Sequence, residues 1–209
     1  MFEYGSWLLV FGAALLVTAT PGPGSFYVPA RTLAGGVDEG LASSLGIAVG
    51  GLFHVAAGAI GVSAVIMASA EAFMVMKLLG AVYLVWLGIK TVRDAKVETQ
   101  AVVVTAAGKF QAFRDGIVME ALNPKTAAFF LAFIPGFVNP AQNVALQFVI
   151  YGLITVFASA LIDIAVTFTA ASARPALVRR PTLMRRIREA SGLVICLLGV
   201  LLVFANRPM

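Results

Sequence analysis

An all-helical membrane fold with six spans is what the sequence predicts, and three observations predict it. Sixty per cent of the 209 residues are hydrophobic and only 12% are charged, against roughly 25% charged in soluble domains, so the chain cannot cover a water-facing surface. The mean hydropathy of +0.96 says the same. Long stretches without Asp, Glu, Lys or Arg recur at lengths that suit helices, about 20 residues per crossing. The ten-residue alternation of a membrane β-barrel is absent. Helices and closed barrels are the only spanning options, because lipid leaves exposed backbone groups unsatisfied. A soluble enzyme, a nucleic-acid-binding domain and a disordered regulator are thereby excluded.

The spans follow in order. Residues 4–30 carry no charge, and residues 40–70 carry only His54 as a titratable group. Residues 72–89 are interrupted once, by Lys77, and 116–138 hold Glu120 and Lys125. Residues 144–173 contain only Asp163, and 190–206 are uncharged. Three spans precede a polar linker at about 94–112 and three follow it, giving a first unit at about 4–93 and a second at about 113–206 within one membrane domain. An odd number per half gives the halves opposite topology, the arrangement of inverted repeats. The first helix of each half is interrupted by proline.

Orientation comes from lysine and arginine. Arg31, the linker region (Lys90, Arg93, Lys96, Lys109, Arg114) and the fifth connection (Arg174, Arg179, Arg180, Arg185, Arg186, Arg188) put twelve basic residues on one side, against Lys77 and Arg207 on the other. The basic side is expected in the cytoplasm, with both termini outside. The net charge of +5 therefore reads as topology and lipid-headgroup contact, not as nucleic-acid binding. Met1-Phe2-Glu3-Tyr4 has no basic region, so a cleavable signal peptide is not expected. The single cysteine, Cys196, excludes an internal disulfide and any multi-cysteine metal site. One histidine makes a metal cluster improbable.

Chemistry concentrates at the two proline breaks. In Thr20-Pro21-Gly22-Pro23-Gly24, each proline removes the bond to the carbonyl four residues back, so Pro21 frees that of Val17 and Pro23 that of Ala19. The glycines remove the remaining helix preference. Unwound backbone at membrane depth survives only where protein or a water-filled cavity covers it. A hinge and a binding site both fit this motif. Asn123-Pro124-Lys125 repeats the device, with Pro124 freeing the carbonyl of Glu120. Eleven helical residues from Arg114 place Lys125 on the order of 16 Å deep, beyond the reach of a side chain of roughly 6 Å. An anion-receiving site beside the break, or an internal ion pair with Glu120 or Asp163, accounts for it.

Asp163 is the most informative single residue. A charge at the bilayer centre costs at least about 2.5 kcal/mol and normally faces the bundle interior. Gly152, Thr155, Ser159, Asp163 and Thr167 share one helix face. His54 lies on a similar stripe with Gly46, Gly50 and Gly58, a face that meets other helices. It suits a proton carrier or a structural hydrogen bond. Tyr83 and Trp86 read as packing or interfacial anchors, and Asp38 and Glu39 as a solvated loop tip. No Ser/His/Asp set, Walker loop or HExxH motif argues for an enzyme.

With these residues in view, the chain resembles the bacterial lysine exporter and homoserine/threonine-resistance (LysE/RhtB) family along nearly its whole length. Ala19-Thr20-Pro21-Gly22-Pro23-Gly24 is similar to the family's early TPGP-type signature, although many members carry asparagine at the place of Gly24. Gly80-Ala81-Val82-Tyr83-Leu84-Val85-Trp86-Leu87-Gly88 is similar to its third-helix run. Leu122-Asn123-Pro124-Lys125, followed by Phe133-Ile134-Pro135-Gly136-Phe137, matches its NPK pattern, and Asp163 falls at its fifth-helix aspartate. The resemblance implies a multi-pass inner-membrane exporter of amino acids or their derivatives, driven by a proton gradient without a bound cofactor, and a homodimer. The expected substrate-binding residues are Thr20, Pro21, Gly22, Pro23, Gly24, Asn123, Pro124, Lys125 and Asp163, with Asp163, Glu120 and His54 coupling to protons. A passive pore, or a metal exporter of the wider superfamily, is the alternative.

Overall fold

The computed structural model describes residues 4–19, 23–95, 105–139, 141–172 and 181–204. All secondary structure among them is helical. The order is α1 (Tyr4–Ala19), α2 (Pro23–Ala68), α3 (Ala70–Asp94), α4 (Lys109–Ala121), α5 (Pro124–Ala128), α6 (Val144–Ser172) and α7 (Pro181–Phe204). α5 runs on through a π turn, Phe129–Phe133, and a 3-10 turn, Ile134–Phe137.

α2 is two helices joined at a sharp fold. Gly36 has φ 83° and ψ −174°, a left-handed backbone that glycine adopts without steric cost. Val28 packs on Ile47, a residue that would lie about 28 Å away along a straight helix. The arms, 23–35 and 37–68, therefore run back along each other. Ser69 ends the second arm: it is extended, and its hydroxyl accepts from the Ala72 N–H at 3.2 Å to cap α3. Gly108, at φ 87°, turns the chain into α4.

Three stretches among the described residues are long and apolar enough to cross a membrane: Phe26–Val65, Glu71–Asp94 and Val144–Ala171. Because Phe26–Val65 folds at Gly36, its crossing part is the second arm. Lys109–Ala121 and Pro124–Phe137, bent by 42°, make a fourth span if taken together, while Trp7–Thr18 and Gly192–Leu201 are shorter apolar helices. The expected first break, Thr20, Pro21 and Gly22, lies outside the described residues. α1 ends at Ala19 before it, and α2 begins with Pro23 and Gly24 after it. The helix expected over 190–206 starts at Pro181, so Arg185, Arg186 and Arg188 are helical rather than part of a loop. Residues 96–104 of the expected linker, and Arg174, Arg179, Arg180 and Arg207, lie outside the described residues.

The main core joins α1, the second arm of α2, the turns after α5, and α6, with Phe129, Phe130, Phe148 and Tyr151 buried at its centre. A smaller core joins α3, α7 and Ala128 and Ala132. The outward faces are also apolar: Leu52, Phe53 and Ile60 on α2, Leu78, Leu79 and Val82 on α3, Leu153, Phe157, Leu161 and Phe168 on α6. A helix hydrophobic all round belongs in lipid or in a large core, and these faces are exposed among the described residues.

Glycines set the closest helix crossings. A Cβ on Gly46 would strike the Phe113 carbonyl, and one on Gly116 would lie 2.7 Å from the Ser43 carbonyl and 3.2 Å from the Ile47 amide. Small residues let backbones approach this closely. Gly116→Val is expected to cost about 1–3 kcal/mol through overpacking, read as a lower melting temperature of the detergent-solubilised protein. Gly61→Ala, where nothing lies within 4 Å, should leave it unchanged or slightly higher. Equal behaviour of the two variants would contradict the crossing.

Candidate functional site

The second break is where α4 stops. Its last carbonyls are gathered in a tightened turn, with the Asn123 amide donating to the Glu120 carbonyl at 2.9 Å. Pro124 has no N–H, so the ordinary helical donor to that carbonyl is missing. His54 replaces it from α2, with Nε2 at 2.8 Å from the same oxygen. A carbonyl only accepts, so Nε2 is the protonated nitrogen. His54 thus sits at the break as a hydrogen-bond donor, with its ring against Phe130.

Asn123 then starts the next helix. Its Oδ1 accepts from the Lys125 amide at 3.0 Å, an N-cap. Its Nδ2 donates to Glu120 Oε2 at 2.9 Å, and Thr126 Oγ1 donates to Glu120 Oε1 at 2.7 Å. The Glu120 carboxylate is therefore a clasp across the break, one oxygen to each side. The Lys125 amide, at the opening of the new helix, is occupied by this cap.

Lys125 is 6% exposed. Its ammonium donates to the Val17 carbonyl at 3.0 Å, near the end of α1. That carbonyl is the one the sequence assigns to Pro21 as freed. Lys125 therefore joins the second break to the edge of the first. It also interacts electrostatically with Glu120 and Asp163.

Asp163 is 5% exposed on α6. Among the described residues its carboxylate has neither a hydrogen bond nor an ion pair. It faces a cavity bounded by α1, the second arm of α2, the break and α6, which Val17, Glu120, Asn123, Lys125, Thr126 and Ser159 also line. Thr18 of α1 and Ser159 of α6 share a hydrogen bond of 2.7 Å across its edge. The polar stripe of α6 is accounted for: Thr155, Ser159 and Asp163 line the cavity, while Gly152 abuts Val55 and Phe130. The cavity has about 30 Å³ of room for water-sized occupants, enough for roughly two waters.

The structure thus brings Asn123, Lys125, Glu120 and Asp163 around one cavity, with His54 behind Glu120. Pro124 is exposed at the start of α5. Nothing is described of the side chains of Pro23 and Gly24. No group of three metal-ligating side chains occurs among the described residues.

Sequence reasoning missed a second polar cluster. Glu39, expected at a solvated tip, is 5% exposed. Its Oε1 accepts from the amides of Ala107 at 3.0 Å and Gly108 at 2.7 Å. Arg31, read as a topology determinant, is buried beside it and pairs with Asp115 at 2.7 Å. Only Asp38 is solvated, bridged to Lys109. The available signal was position: Arg31 and Glu39 lie four residues to either side of Gly35.

Helices apolar on their outer faces, enclosing a cavity with a buried lysine and two buried carboxylates, define a membrane transport protein. Lipid-facing structure needs no such charges, and a solute path does. The chain belongs to the LysE type translocator family, whose model matches residues 8–206; it is a translocator, not an enzyme. It is 30% identical over 200 residues to an uncharacterized membrane protein of Vibrio cholerae, covering 96% of this chain and 97% of that one. It is 27% identical over 206 residues to the homoserine/homoserine lactone efflux protein of Salmonella typhimurium, covering 99% and 98%. A leucine efflux protein of Klebsiella pneumoniae is 28% identical over 145 residues, 66% of each chain. No solved structure matches the chain.

Proposed function

We propose that this protein exports amino acids or amino-acid derivatives in exchange for protons. The observation that carries the reading is the charge arrangement of one buried cavity. Lys125, Glu120 and Asp163, written as ions, sum to one negative charge. One further positive charge balances them, and a substrate ammonium and a proton compete for that place. The named efflux relatives support the substrate class.

The steps follow from the contacts. A substrate carboxylate draws Lys125 off the Val17 carbonyl, and that oxygen, with Asp163, then receives the substrate ammonium. Protonation of Asp163 on the outward side cancels its attraction for the ammonium and releases the substrate. Glu120 and His54 hold the break in shape and stand next in line as proton acceptors. One proton entering per zwitterion leaving moves one charge inward, worth about 2.3 kcal/mol per 100 mV, enough for a gradient of roughly fiftyfold.

The same reading takes the chain as six spans in two inverted three-helix repeats. Residues 4–35 and 109–137 are its broken first members. The lysine and arginine bias puts both termini outside a bacterial inner membrane.

A thermal-shift screen of the detergent-solubilised protein against amino acids and their lactones tests the substrate class. One or more should raise the melting temperature at millimolar concentration by binding the folded state. If none of them shifts it, while unrelated solutes do, the substrate class is wrong.

A further inference from the structure

The cavity is flanked on two sides by different chemistry. Toward the turns after α5 the flank is aromatic: Phe129 stacks on Phe133, whose ring tilts against Phe137, and Phe137 meets Tyr151. Toward the fold at Gly36 the flank is the first arm of α2. Tyr27 and Val28 pack on Ile47, which itself lines the cavity, and Met119 closes the cluster.

One helical turn beyond Tyr27 lies Arg31, which holds that arm to α4 and the segment before it. Its Nη2 contacts Asp115 Oδ2 at 2.7 Å, Nη1 donates to the Thr105 carbonyl at 3.2 Å, and Nε donates to the Tyr27 hydroxyl at 3.1 Å. Tyr27 in turn donates to the Ala112 carbonyl at 2.9 Å.

We propose that this Arg31–Asp115–Tyr27 knot is a gate: the first arm of α2 swings off α4 to open the cavity toward the Gly36 end. The inference rests on the carrier reading above. About 30 Å³ cannot hold an amino acid, so a wall must move. The second arm of α2 is not that wall, because it meets α4 backbone to backbone at Gly46, Gly50 and Gly116. The first arm meets α4 through side chains alone: hydrogen bonds, one ion pair and the packing of the Tyr27–Val28 cluster against Met119, a looser seam than one of backbone on backbone. It is bounded by the end of α1 at Ala19 on one side and by left-handed Gly36 on the other, and hinges are such element-terminal positions. Arg31 already has a second, longer ion pair: Glu39 Oε2, buried without a hydrogen bond, lies 3.8 Å from Nη1 and can accept one. Arg31 can turn to Glu39 when it leaves Asp115, which gives the arm two arrangements.

The test uses the full chain in proteoliposomes, with Cys196→Ala removing the native thiol and Ser159→Cys placing one in the cavity wall. A membrane-impermeant maleimide is applied from each side in turn. Asp115→Asn should raise labelling from the Gly36 side about tenfold, the scale on which a bistable element responds to one lost contact, and lower it from the other side. Tyr27→Phe keeps the packing and removes two hydrogen bonds, so it reads the gate even if Asp115→Asn folds poorly; a two- to fivefold rise is expected. Flat labelling in the folded variants overturns the gate. Labelling needs no substrate, so a protein whose labelling responds but which moves no amino acid would sink the export reading and keep the gate.

Discussion

Asp163→Asn should give a folded protein whose proton-driven efflux has fallen at least about fiftyfold. Asparagine matches aspartate in volume and removes only the charge. That charge is buried, with no hydrogen bond or ion pair to its carboxylate among the described residues; it feels Lys125 and Glu120 only through their fields. No hydrogen bond is lost with it; the attraction of Lys125 goes, but so do the repulsion of Glu120 and the cost of keeping a carboxylate buried, so the melting temperature should hold or rise. What is lost is the attraction that distinguishes a cation in the cavity from a neutral group. A buried charge is worth at least about 2.5 kcal/mol at this depth, which converts to roughly the stated fold. The measurement is uptake of labelled amino acid into inverted proteoliposomes under an imposed pH gradient. Asp163→Glu should recover part of the flux, since the charge returns one methylene displaced. Gradient-stimulated flux of Asp163→Asn at the level of the unaltered protein would remove Asp163 from the mechanism.

Asp163 was legible in the sequence for a simple reason: charge is expensive in hydrocarbon, so an isolated aspartate in an apolar helix must face inward. The same reasoning placed the Asn123-Pro124 break and Lys125, because proline acts on the carbonyl four residues back wherever it occurs. It did not give Lys125 its partner: the sequence pointed to an anion or to Glu120 or Asp163, and the Val17 carbonyl on α1 takes the ammonium instead. Glu39 was misread by the converse of that logic. A glutamate beside two glycines looks solvated, and its burial depends on amides at Ala107 and Gly108, which only tertiary folding brings near. His54 lay on a predicted contact face, but its acceptor, the Glu120 carbonyl, belongs to another helix. Glu120 likewise reads from sequence as a proton group, and its clasp on Asn123 and Thr126 emerges only from the turn. Local rules located the groups; the pairings are long-range.

Lys125→Met is the stronger test of the charge arrangement, because here stability and transport should part company. Methionine occupies a similar volume and keeps the apolar stem, so no large cavity opens. Its loss leaves the Val17 carbonyl without the donor that now lies 3.0 Å away, worth about 1–3 kcal/mol if unreplaced. It also leaves Glu120 and Asp163 facing each other with no cation in their field, and stranding buried charges by deleting a partner costs about 3–5 kcal/mol. The single variant should therefore melt well below the unaltered protein and export nothing measurable. Adding Asp163→Asn removes one of the two stranded carboxylates, so the double variant should regain a large part of the lost stability. The coupling between neighbours that share a cavity is expected at about 0.5–3 kcal/mol. Transport should not return with it, because neither a substrate carboxylate nor a substrate ammonium then finds its charge. Stabilities that simply add would show that Lys125 and Asp163 do not share one electrostatic site, and efflux from Lys125→Met at the unaltered rate would show that the ammonium only closes the end of α1.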